Sequence, residues 1–215
     1  MSARGKICGL TRPEDAAFAA GAGASFLGVV LAGGPRQVSP ARAADVAAAS
    51  RGVPVLGVFG SQPVENIAVI VSEAGLAGAQ LHGPYTDEEA AWLAAKGLIV
   101  WRVLRIASPS DLDRLPTLAA HAETVLIEPR VPHADGGAGV PLDAALAAEA
   151  RQRLAGRCMA LAGGLTPETV GPAVALIRPD VVDVSSGVES LPGIKDHEKI
   201  ARFLEAVLGR SPSVG

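Results

Sequence analysis

Short runs of β-branched and other apolar residues recur along this chain at intervals of roughly 20 to 30 residues, each followed by a turn or capping residue and an alanine-rich stretch. That alternation is the pattern of βα units. Strands are expected over Lys6–Cys8, Phe26–Leu31, Val53–Phe59, Gly78–Leu81, Leu98–Val103, Thr124–Glu128, Met159–Ala162 and Val181–Val184. Nearly continuous apolar strands joined by helical crossovers imply a parallel sheet covered on both faces. Eight units in succession favour closure into a single-domain (βα)8 barrel of the TIM type, with an open doubly wound sheet as the alternative. Gly21 and Gly23 follow a helix and precede a strand, the reverse of the dinucleotide-binding order, and read as helix-ending and turn glycines.

Helix starts are marked by side chains that can accept the first free backbone N–H groups. Thr11 with Glu14 and Thr86 with Glu89 have capping-box spacing. Ser39-Pro40, Ser108-Pro109 and Thr166-Pro167 each place a cap before a proline at the first helical position. Ile200, Phe203, Leu204, Val207 and Leu208 form one apolar stripe, with Asp196 as cap and Gly209 as stop. Gly171-Pro172 predicts a kink or weakness in the seventh helix.

A length of 215 residues suits one core, so residues 1–209 are read as the barrel and 210–215 as a short disordered tail. The net charge of −3 is spread among interspersed acids and bases, with no basic run to follow a phosphate backbone, so nucleic acid is not an expected partner. The two cysteines have neither disulfide-framework nor zinc spacing, which fits reduced thiols in a cytoplasm. No leader-like segment opens the chain, and no apolar run approaches the roughly 20 residues that span a bilayer.

In such barrels chemistry sits where strands end. Cys8 ends the first strand; as a base it needs a cation or helix N-terminus to lower a pKa of about 8.5. Cys158 opens strand seven at the opposite end and reads as structural. Arg36 follows strand two in Gly33-Gly34-Pro35-Arg36, either as a solvated charge or as a planar fork for a carboxylate. Gln80 and His82 leave strand four on one face, and Glu128 ends strand six, where Arg130 could neutralise it. Ala162-Gly163-Gly164-Leu165 and Asp183-Val184-Ser185-Ser186-Gly187-Val188 are small-residue loops whose backbone N–H groups can surround a phosphate.

Taken in order, Lys6-Ile7-Cys8-Gly9-Leu10-Thr11, Pro35-Arg36 with Ser39-Pro40, Gln80-Leu81-His82-Gly83, Gly163-Gly164-Leu165 and Asp183-Val184-Ser185-Ser186-Gly187-Val188-Glu189 resemble the phosphoribosylanthranilate isomerases of tryptophan biosynthesis, nearly end to end. The resemblance implies an Amadori rearrangement of N-(5-phosphoribosyl)anthranilate to 1-(2-carboxyphenylamino)-1-deoxyribulose 5-phosphate, with no metal or cofactor. It implies Cys8 as general base, Arg36 on the anthranilate carboxylate, Gln80, His82 and Asp183 against the substrate, and Gly163, Gly164, Ser186 and Gly187 on the phosphate. A small phosphorylated sugar is the implied partner, and a monomer or homodimer the implied assembly.

Two features depart from the family. Its general acid is an aspartate, and the matching position here is Glu128, one methylene longer. In the following loop Ala138 stands where Ser or Thr is usual, and Val140 where a Lys or similar polar residue is common. Asp135 is a lesser candidate for the acid. The alternative to the isomerase is a phosphosugar-binding barrel that is non-catalytic or has an altered substrate.

Overall fold

A computed structural model describes residues 3–130 and 142–209. Eight parallel strands close into a barrel in sequence order, β1 beside β8. They are β1 (Arg4–Ile7), β2 (Phe26–Val30), β3 (Val55–Phe59), β4 (Gly78–Leu81), β5 (Ile99–Ile106), β6 (Thr124–Pro129), β7 (Cys158–Leu161) and β8 (Val181–Val184). Helices α1 (Pro13–Gly21), α2 (Pro40–Ala48), α3 (Val64–Glu73), α4 (Asp87–Ala95), α5 (Leu115–Ala120), α6 (Ala144–Arg153), α7 (Val170–Ile177) and α8 (His197–Val207) follow the strands in turn. The open doubly wound alternative is excluded by the β1–β8 pairing, which runs from Arg4 against Val181 to Ile7 against Val184.

Strand residues alternate between two cores. Phe26, Leu56, Trp101, Leu126, Ala160 and Val181 pack together as one cluster that fills the barrel. Phe26 meets Trp101 edge to face, their centroids 5.0 Å apart. The intervening strand residues, Ile7, Leu27, Val29, Val125 and Ile127 among them, belong to a larger cluster that they share with the helices. Four residues of the expected α8 stripe, Ile200, Phe203, Leu204 and Val207, are buried, the fifth, Leu208, is the half-buried C-cap just past the helix, and Asp196 accepts the Lys199 N–H.

The helix starts correct several expectations. Thr86 and Glu89 form their capping box, and Ser39 caps α2. Thr11 does not cap α1; its hydroxyl instead donates to the Gly193 carbonyl at 2.6 Å, and the α1 cap position falls on Arg12. Ser108-Pro109 opens a 3-10 helix (Pro109–Arg114) ahead of α5, because Asp111 Oδ2 accepts from both Ala107 and Ser108 N–H and tightens the turn. Thr166-Pro167 begins a turn, and α7 starts three residues later at Val170. Gly171 and Pro172 consequently fall in the first turn of α7, where the missing proline N–H costs no intrahelical hydrogen bond. After β8 come an unexpected 3-10 turn (Ser186–Val188) and hairpin, β9 (Glu189–Leu191) with β10 (Ile194–Lys195). Asp135, Ala138, Val140 and the tail 210–215 lie outside the described residues.

Candidate active site

Cys8, Gln80, His82, Glu128 and Asp183 each sit two residues beyond an inward-facing strand residue or share its parity, so all enter the barrel mouth. They line one cavity of about 900 Å³, joined by Arg36 from the loop before α2. Gly163, Gly164, Ser186 and Gly187 are not in that lining; they form the adjoining loops after β7 and β8, next to the cavity residue Ser185. A Cβ on Gly187 would lie 1.9 Å from the Leu165 carbonyl oxygen, so the two loops touch backbone to backbone at a point only glycine allows. Among the described residues the N–H groups of Gly163 and Gly164 donate to no acceptor, which leaves them available to an anion.

The floor of the cavity is organised by a residue to which the motif reading gave no role. Lys6 is fully buried, and its Nζ donates to Gln80 Oε1 and to Asp183 Oδ1, each at 2.9 Å. Asp183 is its register partner across β1 and β8. The ammonium also lies 5.4 Å from the centre of the Trp101 ring. These bonds leave the Gln80 amide N–H and the second Asp183 oxygen for a ligand. The only local signal for Lys6 was its parity with Cys8, two residues on.

Cys8 is buried beside that ammonium. A side chain on Gly28 would meet Cys8 Sγ at 2.8 Å and Lys6 Nζ at 3.2 Å, so both groups converge over this stretch of bare backbone. Burial pushes the Cys8 thiol up, Lys6 and Lys195 pull it down, and Asp183 adds to the rise; the balance lies above the ordinary value. Unliganded, Cys8 is a thiol flanked by two cations that favour its thiolate.

Arg36 is engaged rather than solvated. Its Nε and Nη2 donate to Glu189 Oε1 and Oε2 at 2.8 and 2.7 Å. Lys195, itself buried, donates from Nζ to Glu189 Oε1 at 2.8 Å and to the Ser185 carbonyl at 3.0 Å. Burial of Glu189 acts against its ionisation, but Arg36 and Lys195 outweigh it and hold the carboxyl below the usual range. Burial presses the Lys195 ammonium below its ordinary value despite Glu189. Neither Glu189 nor Lys195 was singled out for a role from sequence.

Glu128 is not neutralised by Arg130, which pairs with Asp111. Its partners are Arg105, opposite it on β5, whose Nε donates to Glu128 Oε1 at 2.9 Å, and His82, whose Nε2 lies 3.0 Å from the same oxygen but off the hydrogen-bonding line. Burial favours the neutral acid, but His82 and Arg105 outweigh it and lower the Glu128 pKa. Cys158, at the other end of the barrel, accepts a hydrogen bond from Arg4 at 3.4 Å. Among the described residues no group of three His, Cys, Asp or Glu is placed to hold a metal ion, and no helix is long and apolar enough to cross a membrane.

Comparison with known proteins follows the same outline. The family described as N-(5'phosphoribosyl)anthranilate (PRA) isomerase matches residues 5–206. An N-(5'-phosphoribosyl)anthranilate isomerase of Roseiflexus castenholzii is 42% identical over 211 residues, covering 94% of this chain and 96% of the relative. A crystal structure of phosphoribosyl anthranilate isomerase from Thermotoga maritima superposes with a TM-score of 0.88 at 32% identity, over 96% of this chain and 99% of the other. A further structure of phosphoribosyl anthranilate isomerase, in complex with reduced 1-(o-carboxyphenylamino)-1-deoxyribulose 5-phosphate, superposes with a TM-score of 0.85 at 32% identity, over 96% and 99% of the two chains. A match of this length and identity, on the same closed barrel, makes the chain a member of the N-(5'-phosphoribosyl)anthranilate isomerase family.

Proposed function

We propose that the chain catalyses the Amadori rearrangement of N-(5-phosphoribosyl)anthranilate in tryptophan biosynthesis, with Cys8 as general base and Glu128 as general acid. The observation that carries this reading is the convergence of Cys8, Glu128, Arg36 and Asp183 on one cavity. The related barrel that holds a reduced carboxyphenylamino-deoxyribulose phosphate supports a ligand of the same class here.

Protonation of the ribose ring oxygen by Glu128 breaks the C1′–O bond while the anilino nitrogen closes a C1′=N iminium. Cys8 thiolate then takes the C2′ proton, and the C–H electrons form C1′=C2′ and neutralise the nitrogen. Return of a proton to C1′ and loss of one from the 2′-hydroxyl give the ketone. Glycine and serine N–H groups of the β7 and β8 loops hold the phosphate, the free Asp183 oxygen takes a sugar hydroxyl, and Gln80 offers its amide N–H.

Charge balance favours this order of events. Around Cys8 stand three cations, Lys6, Lys195 and Arg36, and two carboxylates, Asp183 and Glu189. Among these five groups the cations outnumber the carboxylates by one. The substrate carboxylate cancels that excess, and the iminium that forms next restores it, so the thiolate is compensated when the C2′ proton must leave. Glu128, held ionised in the empty site by His82 and Arg105, must take up a proton before passing it to the ring oxygen.

The test is loss of anthranilate fluorescence when purified protein meets freshly generated N-(5-phosphoribosyl)anthranilate. Wild type turns over, and Cys8→Ala and Glu128→Gln each lower kcat by about 10²–10⁴ while inorganic phosphate still binds as in wild type. Absence of wild-type turnover would leave the non-catalytic or altered-substrate barrel as the better reading. Near-normal turnover in either variant would remove that residue from its role.

A further inference from the structure

The hairpin β9–β10 is outside the barrel sheet, and its interior is charged. Glu189, at its first position, receives four donors: two from Arg36, one from Lys195 and the Gly193 N–H at 3.2 Å. The hairpin is itself anchored to the first βα unit. Thr11 donates to the Gly193 carbonyl, and the Lys195 N–H donates to the fully buried Asp15 carboxylate at 3.2 Å. Glu189 is therefore fixed from several sides, and among the described residues it is the sole hydrogen-bonding and ion-pair partner of the Arg36 side chain.

A guanidinium has five N–H groups in one plane. Glu189 occupies the side edge, Nε and one proton of Nη2, which leaves both Nη1 protons and the second Nη2 proton as an end-on fork. That fork matches a second carboxylate bidentately, and Arg36 lines the cavity. Without Glu189 a long side chain in the glycine-containing loop Gly33-Gly34-Pro35 would have no fixed plane. Lys195 joins the same carboxylate to the Ser185 carbonyl, at the start of the loop assigned to phosphate.

We propose that Glu189 is a specificity-determining positioning residue: it sets the plane of Arg36 so that the remaining fork accepts a substrate carboxylate, and through Lys195 it fixes the spacing between that fork and the phosphate loop. This rests on the reading of Arg36 as the carboxylate ligand. The site then works as a ruler for a planar arylcarboxylate and a phosphate at the two ends of one molecule. Ligands that lack the carboxylate should be indifferent to Glu189.

Two probes separate the possibilities: reduced 1-(2-carboxyphenylamino)-1-deoxyribulose 5-phosphate and the same compound without its carboxyl group, each titrated by calorimetry into wild type, Glu189→Gln, Glu189→Asp and Arg36→Ala. The expected result is a tenfold or greater loss of affinity for the carboxylated probe in Glu189→Gln, with the decarboxylated probe within twofold of wild type. Glu189→Asp, which keeps the charge but withdraws it by one methylene, shows the same selective loss and serves if the amide variant does not fold. Equal losses for both probes would make Glu189 merely structural, and no loss would make it irrelevant; either overturns the proposal. If Arg36→Ala loses the selectivity while both Glu189 variants keep it, the proposal fails and the reading of Arg36 stands. If wild type binds both probes alike, the reading of Arg36 fails first.

Discussion

Two neighbours bear on Glu128, His82 and Arg105, and together they depress its pKa while burial raises that of Cys8. An acid with a low pKa and a base with a high one are both in the wrong protonation state across neutral pH. The active form, protonated Glu128 with Cys8 thiolate, is then a small and constant fraction between the two pKa values, which gives a flat-topped kcat/KM profile. Arg105→Met removes one of the charges that keep Glu128 ionised, so the acidic limb moves to higher pH and the plateau rises, about tenfold for every pH unit the limb moves. A kcat/KM profile for Arg105→Met with an unmoved acidic limb and a lower plateau would assign Arg105 to substrate binding instead. Strand position made Cys8 and Glu128 candidates for the cavity they line, because a polar residue closing an apolar strand is conspicuous; their proposed roles rest on the resemblance. Lys6, Arg105, Glu189 and Lys195 escaped because a single charge near a strand end or in a loop looks like surface until its partners are known, and for Lys6 those partners are 74 and 177 residues away.

At the scale of elements, strand spacing was legible because each strand is a short apolar run between turn residues. Helix starts were less so: proline after Ser or Thr marks a change of direction, and whether an α-helix, a 3-10 turn or a loop follows depends on contacts such as Asp111 with Ala107 and Ser108. Ser190-Leu191-Pro192-Gly193 carries turn residues, yet the hairpin around it exists for Arg36 and α1, which local pattern cannot show. The contact between the β7 and β8 loops carries its own prediction. At Gly187 a methyl group meets backbone, which cannot rotate away, so Gly187→Ala must part the loops. The barrel should survive, since overpacking costs about 1–3 kcal/mol, while affinity for inorganic phosphate falls tenfold or more. Phosphate titration followed by calorimetry, with a thermal melt beside it, checks both halves. Undiminished phosphate affinity would place the anion elsewhere in the barrel.

For the whole molecule, the groups that build the site also set how stability follows pH. Glu128 and Glu189 have folded pKa values below the unfolded value of about 4.3, so each adds stability that is fully present above that value and lost as pH falls through the folded one. Glu88 and Glu168 are also lowered, but they lie fully exposed at the surface, where solvent and salt screen them. Cys8 has the opposite sign: its raised pKa adds stability below about 8.5 that is lost as pH climbs through the folded value. Lys195, lowered by burial, penalises the fold while charged, and that penalty is relieved as pH rises toward about 10.4. The alkaline limb is therefore a contest, whereas the acidic limb has contributions of one sign from the site. Urea midpoints for wild type and Glu189→Gln, measured from pH 3 to 7, should differ most at neutrality and converge as pH falls, because protonation turns the wild-type residue into a neutral group like its replacement. A gap that stayed constant down to pH 3 would mean that Glu189 stabilises the hairpin by shape and hydrogen bonding alone, and that the charge holding Arg36 in place contributes nothing to the fold.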